Sequence, residues 1–224
     1  MESPKLKKSK SIGSEEVFST DAAHKKLETF ILHNLSIKKL TDRQHLLLEF
    51  ARKKHEGQVR KYTNDPYINH PVAVADIASR FMDDDGAIEI AICHDLLEDT
   101  DCTSGELNDL LMRIGYDRFE AMGTVISVIE LTDEYTHEKY PEMNRETRKR
   151  MEAERMGKTN YLSQSVKYAD LIHNTSSIVK HDKGFAKVYL KEKKRALDAM
   201  RGGNIDLFIE CCYTFKKAMK KLEK

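Results

Sequence analysis

The 224-residue sequence predicts an all-α fold, and three observations carry that reading. Apolar residues recur at helical spacing in almost every segment from Asp21 onward. No stretch alternates with period two for long enough to make a strand. Turn punctuation is sparse: ten glycines and four prolines are fewer than strand sandwiches or repeat arrays need. In chain order, Leu27, Phe30, Ile31 and Leu35 line a first stripe. Thr41 with Gln44 forms a capping box, and Leu46, Leu47, Phe50 and Ala51 follow on one face. Pro71 suits the first turn of a helix through Val74, Ile77, Ala78 and Phe81. Residues 87–97 are apolar nearly all round, the pattern of a central buried helix. Thr103 and Glu106 make a second capping box before Leu107, Leu110, Leu111 and Ile114. Helical stretches over 122–131, 162–179, 185–200 and 205–222 complete the set.

Length and composition bound the rest. One domain is expected over 21–224, preceded by a polar, Lys/Ser-rich tail over 1–20. Hydrophobic residues make up 40% of the chain and charged residues 33%, enough for one core under a heavily solvated surface. No run approaches the roughly 18 apolar residues of a membrane span, and no apolar signal segment opens the chain. A soluble, cytoplasmic protein without membrane partners is the expectation. Net charge is +1; the lysine-rich ends, 1–10 and 216–224, carry +3 and +4, so the body between them carries −6. No aromatic residues are interleaved with those lysines, which disfavours a nucleic-acid footprint. Cys93, Cys102, Cys211 and Cys212 have no C-x-x-C spacing and read as reduced thiols.

Two stretches break the helical pattern. Residues 57–69 form a polar connection carrying Arg60, Lys61, Pro66 and Tyr67. Residues 133–160 are charged, contain Pro141, and hold a helical pattern over 145–156. Long loops inside a compact domain are functional or disordered, and both of these border the residues that carry chemistry.

The densest cluster is His94-Asp95-Leu96-Leu97-Glu98-Asp99-Thr100, at the end of the apolar 88–93 run. A helix there sets Glu98 one turn beyond His94 and Asp99 one turn beyond Asp95. Burying such groups unpaired costs several kcal/mol each, on the order of a whole domain's margin of stability. A divalent cation removes that cost, and adjacent His-Asp offers an imidazole nitrogen and a carboxylate oxygen. The bland alternative is a helix end with its acids in solvent. Asp170 and Asn174 share a helix face, with Ser177 a near-turn further, and His70 precedes Pro71 at a helix start. Singly, each reads as a cap or a core-edge side chain; together they make a site.

His70, His94-Asp95 and Asp170 resemble the H…HD…D pattern of HD-domain metal-dependent phosphohydrolases. More narrowly, HEGQVRKYTNDPYINHPVAVA, HDLLEDTDCT and VKYADLIHN resemble the hydrolase domain of RelA/SpoT proteins and the small alarmone hydrolases, over about half the chain. The resemblance implies a compact HD-domain bundle of roughly nine to ten helices, the number the periodic segments also support. It implies metal ligation by His70, His94, Asp95 and Asp170, with Glu98 and Asp99 as catalytic carboxylates beside the attacking water. It also implies that Arg60 and Lys61 meet the nucleotide while Asn174 and Ser177 line its ribose and 3′-phosphates. His55, which opens the first motif, is left as a structural or supporting residue. The chain departs from the family pattern at Tyr62, Leu171 and Thr175-Ser176.

Two imidazoles and two carboxylates suit Mn²⁺, with Fe²⁺ or Zn²⁺ as alternatives. Such an ion polarises a phosphoryl oxygen and acidifies water, and Glu98 would then take the proton. Arg145, Arg148, Lys149 and Arg150 could gather distal phosphates, although a charged helix face in solvent accounts for them as well. The first functional reading is removal of the 3′-pyrophosphate from guanosine tetra- or pentaphosphate, giving GDP or GTP. The alternatives are an HD phosphohydrolase for another nucleotide, such as the 2′-phosphate of NADPH, and a non-catalytic nucleotide-binding module.

Overall fold

The computed structural model describes residues 40–223, so the 1–20 tail and the Leu27–Leu35 stripe lie outside the described residues. Ten helical segments span those residues, with no strand among them: α1 Asp42–Lys54, α2 Asn69–Ser79, α3 Ala87–Cys93, α4 Leu96–Asp99, α5 Ser104–Arg113, α6 Arg118–Leu131, α7 Arg145–Met156, α8 Tyr161–His181, α9 Lys183–Ala199 and α10 Ile205–Leu222. No helix among them is long and apolar enough to cross a membrane. The four cysteines are free thiols, three of them buried.

Local chemistry explains most boundaries. Thr41 Oγ1 accepts from the Gln44 amide and the Gln44 side chain returns the bond, the full capping box expected of α1. At α5 only half of the expected box forms. Thr103 Oγ1 accepts from the Glu106 amide at 3.1 Å, but the Glu106 carboxylate pairs with Lys54 at 2.9 Å instead of returning to the cap. An unanticipated box, Asp117 with Glu120, starts α6 four residues before the periodic stretch at Met122.

The long helix α8 is the hub, packing against α10, α2, α9, α3 and α6. Tyr168, Leu171 and Ala169 on it are fully buried, and the Tyr168 hydroxyl donates to the Met200 carbonyl at 3.0 Å. The apolar 87–97 run is buried as expected but is not one helix. It breaks at His94–Asp95, where α3 ends and the short α4 begins. Asp95 sits at φ −99°, ψ −2°, outside the helical centre, and this bend turns His94 and Asp95 toward α2 and α8. The short α4 is closed on its own N-cap, the Asp99 amide donating to the Asp95 carbonyl at 2.8 Å.

Candidate active site

Three elements meet at one point. His70 comes from the first turn of α2, His94 and Asp95 from the break between α3 and α4, and Asp170 from the middle of α8. One ligand-capable atom each from His70, His94 and Asp95 lie within 4.8 Å of one another. His70 Nε2 is 3.4 Å from Asp95 Oδ2 and 3.3 Å from Asp170 Oδ1, and His94 Nε2 is 3.1 Å from Asp95 Oδ2. His70, His94 and Asp170 are buried and Asp95 is nearly so.

The tautomers suit a cation. His94 Nδ1–H donates to the Ala91 carbonyl at 2.8 Å, which fixes the ring and turns Nε2 into the cluster. That buried nitrogen has no hydrogen-bond partner despite its nearness to Asp95. His70 Nδ1 meets His173 Nδ1 at 2.7 Å, so one proton lies between the two rings. With His70 as donor, its Nε2 lone pair faces two carboxylate oxygens, an arrangement that a shared cation resolves. Burial opposes charge on His94, yet the Asp95 and Asp170 carboxylates push its pKa up to about 9. Burial likewise opposes ionisation of Asp95 and Asp170. The imidazolium of His94 holds Asp95 well below the usual carboxylate range, and Lys167, 2.9 Å away, with His70 does so for Asp170. Burial, then the positive charge of His70 and Arg60, lowers His173 to about 4, so it stays neutral and able to accept. The site therefore gathers two carboxylates and the Nε2 atoms of two imidazoles around one space, the donor set of a divalent metal, which would displace the proton that the carboxylates hold on His94.

Glu98 and Asp99 lie outside that inner group, on its exposed side. Glu98 Oε2 accepts the Asp133 backbone amide at 3.0 Å, which ties α4 to the start of the 133–144 loop. Protein closing round its carboxylate raises its pKa first, and the charge of Asp133 second. Asp99 Oδ2 and Asp95 Oδ2 share the Tyr67 hydroxyl at 2.6 and 2.8 Å. Tyr67 is pushed far above its ordinary pKa by burial and by both carboxylates, so it remains a hydroxyl donor with one proton for two acceptors.

The 57–69 connection folds back as a tight hairpin. Val59 bridges Pro66, the Arg60 amide donates to the Asp65 carbonyl, and Asn64 takes a left-handed φ of +59° at the tip. This carries Arg60 over the site. Arg60 Nη2 donates to Asn174 Oδ1 at 2.7 Å, Asn174 Nδ2 in turn donates to Asp170, and the guanidinium lies 5.6 Å above the Tyr67 ring. Tyr62, where the chain departs from the family pattern, stacks on His181 and donates to Asp182, pinning the hairpin to the end of α8. Lys61 is exposed at the lip over Tyr62 and Phe185. Beneath lies a cleft of about 500 Å³ whose walls include Arg60, Lys61, His70, Asn174, Ser177 and Tyr189. His55 stands behind this wall, stacked on Tyr67 at 4.8 Å and bonded to Gln58.

Residues that sequence reasoning passed over complete the arrangement. Tyr67 precedes His70 by three positions, His173 follows Asp170 by three, and Lys167 precedes it by three. Lys167 and His173 share the helix face of Asp170, a signal available in the motif itself, whereas Tyr67 lies in the turn before α2.

No protein-family model matches the chain. It is 28% identical over 178 residues to the guanosine-3′,5′-bis(diphosphate) 3′-pyrophosphohydrolase MESH1 of Drosophila melanogaster, covering 76% of this chain and 91% of that one. It is 35% identical over 136 residues to the MESH1 of Xenopus tropicalis, covering 58% of this chain and 67% of that one. The chain belongs to the MESH1 family. A bacterial guanosine-3′,5′-bis(diphosphate) 3′-pyrophosphohydrolase, from Haemophilus influenzae, is 46% identical over 59 residues, 26% of this chain and only 9% of that one. Among solved structures, one described as a metazoan ortholog of SpoT that hydrolyses ppGpp superposes with a TM-score of 0.67 at 24% identity, over 81% of this chain and 98% of that one. That likeness shows a shared fold.

Proposed function

We propose that this chain hydrolyses guanosine 3′,5′-bis(diphosphate) and its pentaphosphate at the 3′ position, releasing pyrophosphate and GDP or GTP. The observation that carries the reading is the convergence of His70, His94, Asp95 and Asp170, with a buried, partnerless His94 Nε2, at the foot of a nucleoside-sized cleft. Those four residues would hold the metal. A divalent ion, manganese by the mixed donor set with iron or zinc as alternatives, would supply Lewis acidity to the phosphoryl oxygens and acidify the attacking water.

The chain's own groups do the rest. Glu98, its pKa raised by burial and by the charge of Asp133, takes the proton from the water that attacks the phosphorus on the ribose 3′-oxygen. The P–O3′ bond breaks as pyrophosphate forms, and the departing ribose oxygen takes up the proton that Glu98 accepted, which returns Glu98 to its carboxylate. Asp99 orients the water, and Tyr67 moves its hydroxyl proton between Asp95 and Asp99 as charge shifts. Arg60, held by Asn174, offers its planar face to the purine, and Lys61 adds a point charge at the lip. Asn174 and Ser177 meet the ribose and its 3′-oxygen substituents. The protein works as a soluble, cytoplasmic enzyme on a small-molecule nucleotide.

The test is a manganese-loaded sample offered guanosine 3′,5′-bis(diphosphate), NADPH and 5′-nucleotides, with products read by ³¹P NMR. Pyrophosphate and GDP from the first substrate are expected. Orthophosphate from NADPH, with no pyrophosphate from the guanosine compound, overturns the reading in favour of another nucleotide.

A further inference from the structure

Beside the metal cluster, three lysines gather around two carboxylates. Lys149 pairs with Asp133 at 2.6 Å and Lys167 with Asp170 at 2.9 Å. Lys193 has no carboxylate of the described residues within ion-pair distance, and its chain neighbour Glu192 is spent on Arg145 at 2.7 Å. Of the basic residues around α7, Arg145, Arg148 and Arg150 are engaged with Glu192, the Met143 carbonyl and Glu154, so only Lys149 turns inward toward this group. Lys193 is half-buried, and burial followed by repulsion from Lys167 lowers its pKa, an effect that the Asp133 and Asp170 carboxylates, both beyond ion-pair distance, offset only in part.

Position says which anion fits. Phe185, Tyr189 and Lys193 recur every four residues along one stripe of α9. The first two line the cleft, and the Lys193 ammonium lies 5.9 Å from the Tyr189 ring centroid. From Phe185 to Lys193 the helix advances about 12 Å. A nucleotide with its nucleoside in the cleft and its reacting phosphorus at the metal cluster therefore carries its outermost phosphate toward Lys193. We propose that Lys193, with Lys149 beside it, forms the subsite for the terminal phosphate of the 3′-pyrophosphoryl arm, and so selects a 3′-pyrophosphate over a 3′-monophosphate. This deepens the pyrophosphohydrolase reading and rests on it.

The subsite is tested by calorimetry with inorganic pyrophosphate and with orthophosphate on the manganese-loaded protein, comparing the unmodified chain with Lys193→Met and Lys193→Arg. Lys193→Met should weaken pyrophosphate by about 10- to 100-fold, the scale for removing a desolvated cation from an anion, and move orthophosphate less than about threefold. Lys193→Arg should restore most of the loss, and metal content should be the same in all three. Equal weakening of both anions, or none, overturns the subsite. Turnover of guanosine 3′,5′-bis(diphosphate) by the unmodified chain is read separately: its absence removes the hydrolase reading, while the two anions still decide whether Lys193 reads the second phosphate.

Discussion

Glu98 sits where two roles divide. Its carboxylate is bonded to the Asp133 amide and stands apart from the imidazole–carboxylate group, so it can exchange protons without holding the ion. Glu98→Gln keeps the shape and removes the proposed base. Turnover should fall by about 10² or more with bound metal unchanged, measured by steady-state kinetics beside elemental analysis. Loss of metal from that variant would make Glu98 a ligand. Asp133, whose amide donates to Glu98, governs stability rather than chemistry. Burial opposes its ionisation, but Lys167, Lys149 and Lys193 hold its pKa below the ordinary carboxylate value. A carboxylate depressed in the folded state stabilises fully above its unfolded pKa, and that contribution is lost as pH falls through the lower folded value. The chain should therefore lose stability below about pH 4, and Asp133→Asn should cost about 1–3 kcal/mol at neutral pH while flattening the acid limb of a denaturation series. An unchanged acid limb would remove Asp133 from this role.

At the scale of the helix, α8 must hold Asp170, His173 and Asn174 in register while packing on α10. Gly203, in the turn before α10, allows that approach. A Cβ there would lie 2.6 Å from the Tyr168 ring and 2.9 Å from the Ser165 amide. Gly203→Ala should destabilise by about 1–3 kcal/mol and lower turnover through the displaced α8. Gly123, inside α6 with nothing within 4 Å of its would-be Cβ, is the contrast: Gly123→Ala should stabilise by about 0.5–1 kcal/mol. Thermal melts of the two variants should move in opposite directions. These helices were largely legible from apolar spacing and capping residues, as at Thr41 and at the 205–222 helix, whose bounds coincide with α10. The break at His94–Asp95 was not, because periodicity runs through it. What bends the chain there is the pull of tertiary partners on two side chains, which no local propensity records. The half-formed cap at Thr103 has the same origin, since Lys54 from a distant helix takes the Glu106 carboxylate.

Across residues 40–223, the site exists only because α2, the α3–α4 break and α8 converge, with the hairpin of 57–69 above and α9 alongside. Motif residues could be read along the chain because His70, His94-Asp95 and Asp170 keep a recognisable order. Their supports were harder to see. Tyr67 as a shared donor, His173 behind His70 and the unpaired Lys193 depend on which atoms face each other after folding. The proposed hydrolysis requires that the four converging side chains hold a cation. Asp170 tests it best, since it is buried, comes from a different element than the His-Asp pair, and makes no covalent step of its own. The most direct measurement is metal content by mass spectrometry together with pyrophosphate release, on the unmodified chain and on Asp170→Ala that has been confirmed as folded by its helical circular dichroism. The account predicts that the unmodified chain carries one divalent ion per molecule on the order of full occupancy and that the variant loses ion and turnover together. A folded Asp170→Ala that retains its metal and hydrolyses normally would contradict it.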